Sequence, residues 1–334
     1  MDMQTAQTRM PETGKYRPVP SLTVPHVVIV GGGFGGLAAA KKLAEQPVKV
    51  TVIDRTNYHL FQPMLYQVAT TALAPGDIAT PIRDILRHQE NTNVLMAEVT
   101  GVDTQQQLVL LGNSAPVHYD YLVLATGVGT NYFGHPEWEH LAPGMKSLDD
   151  AITLKNDVLS AAEAAEREPD EERRKALLTV VLVGGGPTGV ELAAMLTEDI
   201  RRFRRRNFQR VNAKNIRILL VDGGQRLISS FHPVLSRKVQ RRLTRRGVEI
   251  HMGVHVTEVR DTGIMLGDTF LAAENVIWVA GVKASPAGQW LHAEVDHGGR
   301  VKVLEDLSVP GHPNIFVIGD TACVMQHGKA LPGI

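Results

Sequence analysis

Short apolar runs recur along the chain, each closed by glycine or an acidic residue, and they alternate with segments of helical spacing. Residues 27–30 (VVIV) are the first, an apolar run of the kind a strand buried on both faces carries. A glycine-rich turn follows, then small and apolar residues at helical spacing over 37–44. A second strand over 48–53 is closed by Asp54. Residues 94–99 and 107–111 read as strands, and 119–127 (YDYLVLATG) as an apolar strand ending in Ala125, Thr126 and Gly127. Residues 80–88 predict a short helix with Pro81 in its first turn. Residues 147–175 predict a long helical segment, alanine-rich and then charged, with Ser147 and Asp150 spaced as a capping box.

At residue 178 the opening pattern repeats. An apolar strand runs into a glycine turn and a helix, and 216–221 is the strand that Asp222 ends. Further strands are expected over 248–259, 276–279, 301–303 and 314–317. This alternation predicts an α/β fold containing two Rossmann-like units.

The turns carry chemistry. Gly31, Gly33 and Gly36 fall at G-x-G-x-x-G spacing between two strands. The first glycine makes the tight turn, the second lets a pyrophosphate approach the backbone, and the third lets helix pack close on strand. The helix N-terminus then offers unpaired N–H groups to the phosphates. A carboxylate at Asp54 can accept the ribose hydroxyls. Gly184, Gly186 and Gly189 repeat the spacing. Asp222 lies farther from its turn than Asp54 does, because of the basic stretch 201–210 (RRFRRRNFQR). A carboxylate there favours a free 2′-hydroxyl, hence NADH over NADPH, and nearby Arg226 weakens that preference. Two units in one chain imply two dinucleotides face to face. FAD in the first and a nicotinamide in the second is the economical pairing.

Composition narrows the class. A chain of 334 residues has room for two domains, and 43% apolar with 21% charged residues is a globular composition. Zero formal net charge gives no sign of nucleic acid binding. Cys323 is the only cysteine, which excludes an internal disulfide or a CxxC pair. Its bland reading, a small buried residue, is preferred over a reactive thiol. No metal-ligating cluster is evident. No apolar run approaches the ~18 residues of a spanning helix, and polar, proline-containing residues 1–24 read as a mobile tail.

Several stretches keep two readings. Residues 55–70 (RTNYHLFQPMLYQVAT) are either a packed excursion over the first helix or a wall of the cofactor pocket, with Pro63 and Gln67 turned to the ligand. The Ala125–Gly127 strand end either brings backbone close to a cofactor or is an ordinary turn. Glu191, just inside the second helix, either gains ~0.3–1 kcal/mol from the helix dipole or faces the space between cofactors and handles the nicotinamide or a proton. Gly281 repeats the strand-then-glycine device. Gly319 and Asp320 either return a carboxylate to the flavin or form a surface turn. The charged run 166–175 reads as a solvated face.

Residues 31–37 (GGGFGGL), 58–70 (YHLFQPMLYQVAT), 121–127, 184–191 (GGGPTGVE), 278–286 and 318–320 together resemble type II NADH dehydrogenases, single-subunit NADH:quinone oxidoreductases. The resemblance spans residues 25–334. It implies that hydride passes from NADH to FAD and two electrons pass to a membrane quinone without proton pumping. By matched motif it implies FAD contacts from Gly31, Gly33, Gly36, Asp54, Ala125, Thr126, Gly127 and Asp320, with Phe34, Gly35, Arg55, Pro63, Gln67, Val99 and Gly319 as further cofactor-binding candidates. NADH contacts would come from Gly184, Gly186, Pro187, Thr188, Gly189, Asp222 and Gly281, with Glu191 the catalytic candidate. The implied domains are a tail (1–24), an FAD domain in two parts (25–146 and 300–334) and an inserted NADH domain (147–299). The family works on the cytoplasmic face of the inner membrane, often as a homodimer; this chain is expected there only in a full-length form, and otherwise in the cytoplasm. Its pattern continues past residue 334 into a helix with a glutamine-containing quinone motif and into membrane-binding amphipathic helices. A C-terminally truncated member is therefore expected. The alternative function is a flavoprotein that passes electrons from NADH only to dyes, or none at all.

Overall fold

The structure, a computed structural model, describes residues 24–202, 208, 210–212 and 214–333. The tail expected over 1–24 and the basic stretch 201–210 lie largely outside the described residues.

Strand β1 (His26–Val30) leads through the first glycine turn into α1 (Phe34–Lys42) and returns in parallel as β2 (Lys49–Asp54), with Val30 opposite Ile53. Val27 to Val30 are all buried, as a run without a polar position requires. β3 (Tyr58–Leu60) and β4 (Ala79–Pro81) pair antiparallel, and α2 (Leu65–Ala69) lies between them in sequence. The pairing holds Pro81 in extended backbone. Helix α3 (Ile82–Leu86) therefore begins after it, with Pro81 as N-cap instead of in the first turn.

The expected strand 94–99 divides into β5 (Thr92–Met96) and β6 (Val99–Asp103), because the chain leaves the sheet where the Ala97 N–H donates to the Asp54 carbonyl. β7 (Tyr121–Leu124) enters beside β1, with Leu124 opposite Val30, and β8 (Val128–Thr130) follows.

The segment 147–175 is two helices, α4 (Leu148–Arg167) and α5 (Glu171–Leu177). Pro169 sets the break: it pushes Glu168 into extended backbone (ψ 116°), and Asp170 caps the next helix by accepting from the Arg173 N–H. The Ser147–Asp150 capping box forms in both directions.

β9 (Thr179–Val183), α6 (Pro187–Arg202) and β10 (Arg217–Asp222) repeat the opening unit, followed by α7 (Pro233–Arg245) and β11 (Val248–Met252). Gly253 turns at φ +72°, so the expected run 248–259 divides before β12 (Val256–Arg260). β13 (Asn275–Trp278) and β14 (Val282–Ala284) complete this half, and β14 pairs antiparallel with β8. β15 (Ser308–Val309) and β16 (His312–Val317) then return to the first sheet beside β7.

The two main sheets run β15-β16-β7-β1-β2-β5 and β11-β10-β9-β13. Only β15 is antiparallel among them. One buried cluster spans both halves: Leu65, Val68 and Ala69 of α2 pack with Leu148 and Leu154 of α4, Leu192 and Leu196 of α6, and Leu182 and Leu220 of the second sheet. The excursion 55–70 thus buries Leu65, Val68 and Ala69 against the second half, while His59 and Phe61 lie against Phe34 at the start of α1. No described helix is long and apolar enough to cross a membrane.

Candidate functional site

The two glycine turns are built alike, and each glycine has its own reason. Gly31 turns at φ +105° and Gly184 at φ +125°, where a side chain would be strained and would strike the next strand end. At Gly36 and Gly189 an added Cβ would overlap the carbonyls of Gly31 and Gly184, so helix and strand can approach only without one. At Gly33 and Gly186 a Cβ would meet nothing within 4 Å. The backbone there borders open space in both units, directly at the start of α1 and α6. Gly33 caps α1 without a side chain to accept from its first N–H groups. These donors remain for an anion.

Each strand-end carboxylate grips its own turn. Asp54 Oδ2 accepts from the Gly32 N–H at 2.5 Å, while Oδ1 accepts from the Thr56 N–H at 2.7 Å and the Thr56 hydroxyl at 2.8 Å. Asp222 accepts from the Gly185 N–H and from the Gly224 N–H, both at 2.6 Å. A carboxylate has about four acceptor sites, so each retains acceptor capacity for a hydroxyl. Arg226 is committed elsewhere: its guanidinium donates to the carbonyls of Phe231 and Ser229 and to the Ser236 hydroxyl. It closes its own loop.

Three strand ends meet beside the first turn. Ala125 carries the carbonyl that a side chain on Gly31 would strike. Thr126 Oγ1 lies 2.5 Å from Ser285 Oγ, and Ser285 Oγ lies 2.9 Å from Thr321 Oγ1. The Ser285 N–H donates to the Gly127 carbonyl at 3.3 Å. Gly127 (φ +64°) and Gly319 (φ +71°) both border open space. The segment Gly319–Thr321 is a short 3₁₀ turn that brings Asp320 to this junction, where Gly333 lies over its carboxylate. Gly281 turns at φ +70° beneath the exposed ring of Phe133.

The remaining candidates are spread around this junction. Phe34 opens α1, is half exposed, and contacts His59 and Phe61 edge-on at 4.9 and 5.6 Å. Gly35 packs under Ile318. Arg55 and Pro63 are exposed. Gln67 sits on α2 with its amide 3.2 Å from the Tyr66 hydroxyl. Val99 opens β6 and packs on the first-sheet core. Pro187 and Thr188 form the first turn of α6. Glu191, on the same helix, keeps its side chain open to solvent, yet partial burial pushes its carboxyl up from the usual range. Its neighbours Leu192 and Ala193 pack with Leu65 and Val68, so the helices carrying Glu191 and Gln67 are in direct contact.

Other residues at the site are not singled out by their chemistry in the sequence, although His59 and Ser285 lie in stretches that carry the family resemblance. Ser285 and Thr321 are ordinary hydroxyls whose pairing with Thr126 depends on the return of β16. Lys146 is half-buried near Asp320; burial pulls its ammonium down while that carboxylate opposes the shift. His59 Nδ1 lies 3.0 Å from the Gly32 carbonyl. Cys323 is buried, and burial pushes its thiol up, which disfavours the reactive thiolate.

Residues 25–331 match the pyridine nucleotide-disulphide oxidoreductase family. The chain is 43% identical over 320 residues to the type II NADH:quinone oxidoreductase Ndh of Mycobacterium tuberculosis, covering 92% of the chain and 68% of that relative. It is 42% identical over 321 residues to NdhA of the same organism, covering 92% and 67%. A solved structure of NDH2 from Plasmodium falciparum in complex with NADH superposes with a TM-score of 0.82 at 26% identity, covering 89% of this chain and 64% of that one. The chain thus spans about two thirds of the length of these relatives.

Proposed function

The chain belongs to the type II NADH:quinone oxidoreductases within the pyridine nucleotide-disulphide oxidoreductase family, and from that premise we propose that it passes hydride from NADH to FAD and two electrons onward to a quinone. The observation that carries this reading is the doubled cradle. Gly33 and Gly186 each border open space at a helix N-terminus, and each is backed by a strand-end carboxylate.

The residues present fit the cofactors. Gly31, Gly33, Phe34, Gly35 and Gly36 would hold the FAD pyrophosphate against the start of α1, with Asp54 and Arg55 at the ribose and Val99 alongside. Pro63, Gln67, Ala125, Thr126, Gly127, Gly319 and Asp320 would line the rest of the flavin. Gly184, Gly186, Pro187, Thr188, Gly189, Asp222 and Gly281 would hold NADH. When bound, the flavin supplies the hydride acceptor and the two-electron relay.

The chain's own work is placement and electrostatics. Main-chain N–H groups at two helix ends neutralise two pyrophosphates without mobile side chains. The Thr126–Ser285–Thr321 hydroxyl chain ties the segment that follows the second sheet to two strand ends of the first, at the junction where both cofactors' reactive ends would meet. Fixing that distance lowers the entropic part of the transfer barrier. Glu191, with its carboxyl pushed up by partial burial, keeps its proton to a higher pH than a free carboxyl does, at the second helix. The quinone places the reaction beside a membrane. Peripheral attachment to its cytoplasmic face, with a second copy as partner, completes the reading, supported by the family resemblance.

The visible spectrum of the purified chain, before and after anaerobic NADH, tests this. A flavin spectrum that bleaches on NADH addition and recovers with a short-chain quinone is expected. A chain that stays colourless in added FAD overturns the reading; recovery with soluble dyes but not quinone removes the acceptor assignment.

A further inference from the structure

The two glycine turns match at one more position, and there they differ in chemistry. The residue between the first two motif glycines is itself glycine in each unit. At Gly32 an added Cβ would strike Ile82, and at Gly185 it would lie 2.8 Å from Leu227. Each of these peptides is held from both sides. The N–H of Gly32 goes to Asp54, and the N–H of Gly185 goes to Asp222. The carbonyl of Gly185 accepts from the main-chain N–H of Ile228 at 2.8 Å. The carbonyl of Gly32 instead faces an imidazole, His59 Nδ1, at 3.0 Å.

We propose that His59 is a positioning residue of the FAD loop, its Nδ1–H donating to the Gly32 carbonyl and doing for the first turn what the Ile228 N–H does for the second. This rests on the functional reading above. A carbonyl can only accept, so Nδ1 must carry the proton. His59 is placed for this by the β3–β4 pairing, in which it stands opposite Thr80. Its ring also receives Phe34 edge-on at 4.9 Å. One side chain thus fixes both the turn's carbonyl and the first residue of α1. Those are the two parts of the loop on which the orientation of the phosphate-facing N–H groups depends. The first turn needs a side chain because β2 is followed by an excursion, whereas β10 is followed by a loop whose own backbone reaches Gly185.

Substitution separates this role from simple packing. In asparagine the amide nitrogen occupies the place of Nδ1, one bond from Cγ; in glutamine it occupies the place of Nε2. FAD affinity of the apo-chain, followed by quenching of flavin fluorescence, is the readout. His59→Ala and His59→Gln are expected to weaken FAD by about tenfold, the order expected for one lost hydrogen bond, while His59→Asn stays within about threefold of wild type. NADH affinity, read at the untouched second loop, is expected to be unchanged in all three and controls for folding. Side-chain ¹⁵N resonances of the flavin-free chain give a second, independent readout: His59 should carry its proton on Nδ1, the minority tautomer of free imidazole.

Equal FAD affinity in His59→Ala and wild type overturns the proposal, as does equal rescue by Asn and Gln or a proton on Nε2. A wild-type chain that takes up no flavin overturns the functional reading itself. A wild-type chain that binds flavin beside an Ala variant that binds it equally overturns only the role of His59.

Discussion

The hydroxyl of Thr126 lies 2.5 Å from that of Ser285, across the boundary between the first sheet and the segment that follows the second. Ser285 then reaches Thr321, which is fully buried, at 2.9 Å. Ser285→Ala leaves both threonine hydroxyls short of a partner, and a buried hydroxyl without one costs about 1–3 kcal/mol. Urea unfolding is expected to show that loss. A cycle with Thr126→Val is expected to give a coupling energy of at least ~0.5 kcal/mol, as for residues sharing one hydrogen-bond network. Additive losses would mean that the chain of hydroxyls does not act as one.

The glycines of one motif should separate into structural and ligand-facing members. Gly36→Ala forces a Cβ into the Gly31 carbonyl, and overpacking of that kind costs about 1–3 kcal/mol. Gly33→Ala meets nothing and sits at φ −73°, which alanine adopts freely. It is expected to melt within a few degrees of wild type and to lose flavin affinity, because its methyl occupies the approach to the backbone. The same contrast is expected between Gly189→Ala and Gly186→Ala for NADH. Thermal unfolding and ligand titration on the four variants check it.

Glu191 gives a pH prediction with a definite sign. Burial raises its carboxyl above the ordinary glutamate value of 4.5. The folded chain therefore holds that proton more tightly than the unfolded one. Between pH 4.5 and the raised folded value, this group's contribution to stability falls as pH rises. Glu191→Gln cannot ionise. It is expected to be at least as stable as wild type at pH 8 and to lose part of the pH dependence in that window, while NADH bleaching of the flavin slows. Urea midpoints at pH 5 and pH 8, set beside stopped-flow reduction, test the two halves separately.

Much of this site was legible in the sequence because the glycine motifs are local: turn, helix start and strand-end carboxylate lie within one unit. Strands β1, β2, β9 and β10 announce themselves as apolar runs. The break at Pro169 was less visible, since the alanine and charge pattern on either side both favour helix. Ser285, Thr321 and His59 were not legible. Each acts through a partner distant in sequence, brought close by a strand return or a short antiparallel pair that no local pattern encodes. The excursion 55–70 carries no clean period because α2 spends its apolar residues on the other half of the molecule, a surface absent from its own unit.

On the proposed reading, nucleotide choice follows from how Asp222 and Arg226 divide their bonds. Asp222 holds the turn through Gly185 and Gly224 and keeps acceptor capacity for a ribose hydroxyl, and its charge repels a 2′-phosphate. Arg226 looks in sequence like a cation available to that phosphate, but its guanidinium is bound to Phe231, Ser229 and Ser236. Asp222→Asn is expected to weaken NADH by about 10- to 100-fold, ~1.4–2.8 kcal/mol, and to narrow the gap to NADPH. Arg226→Ala is expected to leave the NADH-to-NADPH ratio unchanged and to lower stability by loosening the loop before α7. Flavin reduction rates with each nucleotide, measured over a concentration series, distinguish these effects; a fall in NADPH use in Arg226→Ala would show that the guanidinium leaves its loop to meet the phosphate.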